Sequence, residues 1–179
     1  ASLELATKAA AACPMLAFYD ATRAPVAPWQ VGSDPPGILE AAEAWRARHN
    51  AGACLVVVDS LHTWADSGAQ PFATEYESLN AGVRDLRSLA TRLESPVLAI
   101  AERNRASMAS AAQSAGAGTR KIEYQGDTVL ALQRDGQEWQ PDAAGEYPVS
   151  VKLAKNRNGA TGPSVALRFH GALQAFREV

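Results

Sequence analysis

Apolar positions along this chain recur with two periods, and the periods alternate. Tyr76, Leu79, Val83, Leu86, Leu89 and Leu93 are spaced by three and four, which predicts the strongest helix, broken at Pro96 because proline cannot continue a helix interior. On either side lie continuous apolar runs, Leu55 to Val58 and Val97 to Ala101, the pattern of strands covered on both faces in a parallel sheet. Strand, helix and strand in this order predict an α/β domain with right-handed crossovers. Thr128 to Leu132 reads as a further strand. Val149, Val151 and Leu153, then Val165, Leu167 and Phe169, alternate with polar residues. Such alternation predicts antiparallel strands at the carboxyl-terminal edge of the sheet, paired across the Asn158-Gly159 turn region.

The amino-terminal third is less regular. Residues 2–12 have high helix propensity and end at Pro14, and Met15 to Tyr19 reads as a short strand. Prolines 25, 28, 35 and 36 mark an irregular connection. Asp34-Pro35 has the form of a helix start, a capping carboxylate followed by proline at the first helical position. Ile38, Ala42, Trp45 and His49 then share one face of a helix ending near Asn50-Ala51-Gly52. Ala106 to Gly118, rich in Ala, Ser and Gly, lacks an apolar period and is expected to be mobile until a ligand orders it. With neither an internal repeat nor a dividing linker, residues 1–179 are expected to form a single domain.

At 179 residues and 47% hydrophobic, the chain can bury a sizeable core. The net charge of −2 excludes a generally basic nucleic-acid binder, although its distribution is uneven. Residues 1–102 carry 7 basic and 12 acidic side chains, a net −5, whereas residues 103–179 carry 10 and 7, a net +3. A polyanion contact is therefore expected in the second half. Cys13 and Cys54 are too few to staple a domain of this length and read as reduced core thiols. No apolar run approaches the roughly 20 residues of a membrane span, so the expected protein is soluble, untargeted and cytoplasmic.

Asp59 directly follows an apolar strand, at the carboxyl end where parallel α/β sheets place their ligands. It could simply be a solvated strand end, or it could hold Mg²⁺ beside a nucleotide phosphate. The next strand ends in Ala101-Glu102-Arg103-Asn104-Arg105, so a second carboxylate and two cations occupy the corresponding end of a neighbour. Lys155-Asn156-Arg157-Asn158-Gly159-Ala160-Thr161-Gly162 places two cations on one side of an extended chain before a sharp turn. A solvated hairpin tip and a pair of cations offered to phosphate both fit that spacing.

These segments in this order, together with Ile122-Glu123-Tyr124-Gln125-Gly126-Asp127 before the Thr128 strand, resemble the carboxyl-terminal RecA-like ATPase domain of DnaB-type replicative DNA helicases. The resemblance covers roughly residues 3–179. It implies a P-loop NTPase core, with a mainly parallel sheet flanked by helices. It also implies an ATP-driven ring, usually a hexamer, that translocates on single-stranded DNA. Asp59 matches the Walker B aspartate that positions Mg²⁺. Lys155 and Arg157 match the lysine and arginine finger that reach a neighbouring subunit's γ-phosphate, where an arginine stabilises transition-state charge. Glu102 stands where the family has a polar, γ-phosphate-sensing amide, with Arg105 near the nucleotide. The loops after Asp59 and between Ala106 and Gln125 match channel-facing positions, and Arg120 and Lys121 are the cations placed nearest the DNA backbone.

Two departures qualify the resemblance. A carboxylate at Glu102 repels phosphate unless Mg²⁺ or Arg103 compensates. No Gly-x-x-x-x-Gly-Lys-Ser/Thr occurs in the 179 residues, so the phosphate-loop segment of the domain is expected to lie outside them and the chain is not expected to hydrolyse ATP alone. Ser2-Leu3-Glu4-Leu5 mimics the segment bearing the family's catalytic glutamate, but the helix and strand that follow align better just before Walker B, which makes Glu4 a surface residue. A sheet without the phosphate-loop strand is expected to expose apolar surface. The alternatives are a RecA-like ATPase of the recombination or clock-protein branch and a non-catalytic module for oligomerisation or DNA binding. His49, His62 and His170 lack ligand spacing for zinc, and Ser60 and Ser107 lack a paired base. Trp45 is expected in the core, and Trp64 either packs its loop or contacts a base.

Overall fold

The computed structural model describes residues 13, 15–17, 19, 37–66, 74–102, 125–135 and 140–179. They fall in two compact units, Ala1–Thr119 and Arg120–Val179.

The first unit contains α1 (Ile38–Arg48), β1 (Val56–Asp59), α2 (Leu61–Asp66), α3 (Glu75–Leu93) and β2 (Val97–Ile100). The predicted long helix is α3. Its Thr74 cap accepts a hydrogen bond from the Glu77 N–H at 3.2 Å, satisfying one of the amides a helix start leaves orphaned. It closes at Glu94, which adopts the left-handed conformation at φ 48°, two residues before Pro96. Leu89 and Leu93 are fully buried with Leu61 of α2. The helices approach closely at Gly82, where a Cβ would lie 3.2 Å from that of Ala65, and Ser78 Oγ donates to Ala65 O at 3.0 Å.

β1 and β2 pair in parallel, from Val56 opposite Val97 to Asp59 opposite Ile100, as the strand-helix-strand pattern predicts. Their leading ends are tied by side chains. Arg46 donates to Leu93 O at 2.6 Å and to Gly52 O. Ser95 Oγ donates to the same Leu93 carbonyl at 2.9 Å and accepts the Cys54 N–H at 3.2 Å. Fixing these ends also fixes where the opposite ends, with Asp59, emerge.

Burial on both faces, expected from the continuous apolar runs, is not found. Exposure alternates along β1, and Leu55, Val57, Leu98 and Ile100 remain 59%, 54%, 45% and 44% exposed. The helices cover one face of a pair that, among the described residues, has no third strand. α1 begins at Ile38 behind a Gly37 cap that makes no side-chain hydrogen bond, later than the predicted Asp34-Pro35 start. Asp34 itself lies outside the described residues. Of the expected Met15–Tyr19 strand, the described residues are in no ladder, and Leu16 N–H instead closes a turn on Cys13 O. No described strand pairs with them. Neither cysteine is in the core: Cys13 is exposed and Cys54 half-buried, both free. Trp45 is also only half-buried, its ring 4.7 Å from that of His49. The predicted helix over residues 2–12 and the Ala106–Gly118 loop lie outside the described residues.

The second unit is an antiparallel sheet in the order β3 (Thr128–Arg134), β4 (Glu146–Asn156), β5 (Ser164–His170) and β6 (Ala175–Glu178). Of the expected mainly parallel sheet with antiparallel strands at its carboxyl-terminal edge, the described residues show a parallel pair, β1 and β2, and an antiparallel four. β3 pairs along its whole length with β4. β6 was not anticipated; it sets Phe176 opposite Phe169, ring centroids 4.7 Å apart.

β4 opens from a turn in which Gly145 takes φ 76°, a conformation that favours glycine. Asp142 Oδ1 accepts the N–H groups of Ala144 and Glu146 at 2.9 and 3.0 Å. Arg177 of β6 grips the Glu146 carboxylate through Nε, at 2.7 Å, and Nη2. The Arg177 hydrogen bonds hold Glu146 below the ordinary carboxylate range. The Glu146 N–H, foremost, does the same for Asp142.

Candidate nucleotide site

Asp59 is the last residue of β1 and is exposed. Its register partner is Ile100, so Glu102, exposed two residues further on, stands at the same end of the adjacent strand. The structure therefore brings these two carboxylates to neighbouring strand tips. Immediately after Asp59 the chain turns into α2. Ser60 O accepts the Trp64 N–H at 2.9 Å, and Ser60 Oγ lies 3.3 Å from Thr63 Oγ1. Trp64 sits on this short helix, half-buried, its Cδ1 3.4 Å from where a Cβ on Gly82 would lie.

Mg²⁺ is usually held by one or two carboxylates together with water and phosphate oxygens. An exposed Asp59 at a strand end offers that hard oxygen donor, so the residue fits the ion. Among the described residues no group of three or more His, Cys, Asp or Glu side chains could hold a metal.

Lys155 and Arg157 come together in the second unit, at the far end of β4. Simple alternation would put Lys155 in the row of Val149, Val151 and Leu153. A bulge prevents this: Leu130 pairs with Leu153 and Val129 with Lys155, so Ala154 is the extra residue. Bulges re-aim side chains, and here Lys155 joins the face of Val129 instead of the apolar row of Leu130 and Leu132. Its Nζ donates to Gly126 O at 2.8 Å.

One residue beyond the strand, Arg157 N–H donates to Asp127 O at 2.8 Å, and its Nη1 lies 2.6 Å from Asp127 Oδ1. Both side chains are about half exposed, at 48% and 60%. The return loop is organised by Asn156, whose Oδ1 accepts the Asn158 N–H at 3.3 Å and whose Nδ2 donates to Ala160 O at 3.4 Å. Gly162, at φ 108°, then donates to Leu153 O at 3.1 Å and turns the chain into β5. The predicted Asn158-Gly159 turn is thus part of a longer loop that braces the two cations.

Gly126 and Asp127 as partners of these cations had no role in the sequence reading. The signal was present: if Thr128 opens a strand and Asn156 closes its partner, the residues just beyond each must adjoin. Glu4, Arg105, Arg120 and Lys121 lie outside the described residues.

A family model for the DnaB-like helicase C terminal domain matches residues 37–178. The replicative DNA helicase DnaB of Treponema pallidum (strain Nichols) is 35% identical over 107 residues, 59% of this chain and 22% of that protein. A solved structure of an ATPase domain superposes with a TM-score of 0.63 at 22% identity, covering 79% of this chain and 50% of that one. At that identity the likeness shows the fold. The chain spans well under two thirds of the length of either relative.

Proposed function

The chain belongs to the DnaB-like helicase C terminal domain family, and from that premise we propose that it works within an ATP-driven, ring-forming DNA helicase that translocates on single-stranded DNA. The observation that carries this reading is the pair of cations at the end of β4. Lys155 is tethered by Gly126 and Arg157 by Asp127, which holds two phosphate-binding groups at one place on a rigid sheet. Preorganised cations of this kind stabilise the charge that develops on a transferring phosphoryl group.

In this proposal Arg157 is the arginine finger and Lys155 its companion, both directed at a nucleotide bound by a neighbouring copy in a ring, a hexamer as in the resemblance. Asp59 holds Mg²⁺, which supplies charge neutralisation at the β- and γ-phosphate oxygens of ATP. Glu102 and Arg105 flank the nucleotide, and Arg120 and Lys121 meet the DNA backbone. The phosphate loop belongs to the complete protein, and residues 1–179 form the second part of a single RecA-like domain.

The test is Arg157→Ala in the complete protein. Fingers contribute about 10³- to 10⁵-fold to turnover, so ATP hydrolysis should fall at least about a thousandfold while ATP still binds. An unchanged hydrolysis rate would remove the finger assignment. A complete protein that binds single-stranded DNA with steep salt dependence but hydrolyses no ATP would be a binding module instead.

A further inference from the structure

Resting on the finger assignment above, we propose that Asp127 is the positioning residue of Arg157: it holds the guanidinium by one nitrogen and leaves the two-nitrogen edge open for phosphate. Among the described residues, the Arg157 side chain is engaged through Nη1, on Asp127 Oδ1 at 2.6 Å. The Nε and Nη2 groups form the other edge of the planar fork. How such an edge meets two oxygens is visible on the same sheet, where Arg177 uses Nε and Nη2 to grip both oxygens of Glu146. A phosphate presents a matching pair of oxygens.

Three features make Asp127 suited to this task. The backbone bond from Arg157 N–H to Asp127 O fixes the two residues side by side, so the carboxylate need not search for its partner. Lys155, tethered to Gly126 O at 2.8 Å, is held by the preceding residue of the same turn, which locks the spacing of the two cations. Both members of the Asp127–Arg157 pair are half exposed, where an ion pair contributes little stability. The contact therefore orients Arg157 more than it strengthens the fold. A long arginine side chain that is already oriented loses less conformational entropy on reaching the transition state.

The experiment compares Asp127→Asn, Asp127→Glu, Arg157→Ala and the Asp127→Asn/Arg157→Ala double variant in the complete protein, reading kcat and KM for ATP hydrolysis and the Tm of each. Asp127→Asn should lower kcat by about tenfold, a modest share of what orientation can supply, with KM changed by less than about twofold and Tm retained. Asp127→Glu should keep most of the wild-type kcat. The double variant should be no slower than Arg157→Ala alone, because residues acting as a unit are non-additive.

Wild-type kcat in Asp127→Asn, with hydrolysis lost in Arg157→Ala, would overturn the positioning role and leave the finger assignment standing. Hydrolysis retained in Arg157→Ala would overturn the assignment itself. A loss in Asp127→Glu as large as in Asp127→Asn would also overturn the proposal. So would a Tm that falls in step with activity in both Asp127 variants, since the effect would then be structural.

Discussion

The two ends of β4 each pair an arginine with a carboxylate, and they do so differently. At the opening end, Arg177, itself 62% exposed, spends both nitrogens of its fork on Glu146, whose side chain is 11% exposed, while Asp142 accepts two backbone amides through Oδ1 and faces Arg168 through Oδ2. At the closing end, Arg157 spends one nitrogen on an Asp127 that is 60% exposed. The first pair is bidentate and carries shifted titration on both partners. The second keeps hydrogen-bonding capacity in reserve. The same residue types at the two ends of one strand thus serve structure where the fork is consumed and are available for chemistry where it is not.

Removing each arginine should break the comparison most sharply. Arg157→Ala should abolish turnover by at least about a thousandfold with little change in Tm. Asp127→Asn comes next, with its tenfold loss in kcat. Arg177→Ala should do the opposite of Arg157→Ala, lowering Tm by a few degrees because it leaves Glu146 unpaired, while hydrolysis per folded molecule stays near wild type. Thermal melts beside ATPase assays separate the two. If Arg177→Ala also cost turnover, the two ends would not be functionally distinct.

Acid should sharpen the contrast with a smaller effect. Glu146 and Asp142 titrate below their ordinary values in the folded chain. A carboxylate with a depressed folded pKa contributes stability that is fully present above its unfolded value, about 4, and is lost as pH falls through and below it. Melting temperature followed from pH 7 to 3 should therefore drop most steeply below about pH 4. Glu146→Gln should lower the neutral plateau and flatten that drop. An equally steep acid limb in Glu146→Gln would assign the sensitivity elsewhere.

Periodicity made α3, β1, β2 and the pairing of β4 with β5 legible before any coordinates, because each rests on local spacing. Burial was less legible. Leu55-Val56-Val57-Val58 is apolar whether one face of its strand is covered or both, and only the packing of the helices decides. β6 went unread because Ala175-Phe176-Arg177-Glu178 is too short to show a period. At the site, Asp59, Lys155 and Arg157 stand out by residue type and position along the chain. The bulge at Ala154 does not, since a one-residue slip in register leaves no trace in composition. Asp127 was hidden for a related reason: its partner lies thirty residues away, and only strand register brings the two together.

Ser95 reaches from the end of α3 to the Cys54 amide, and that amide precedes the first residue of β1. A side-chain hydroxyl thereby supplies a rung that the backbone ladder lacks. In solution the rung has a time signature. The Cys54 amide should resist exchange with deuterium as β1 does, and Ser95→Ala should release it selectively, leaving the rates at Val57 and Val58 unaltered. That single proton would report how firmly the closing of α3 is coupled to the strand that carries Asp59.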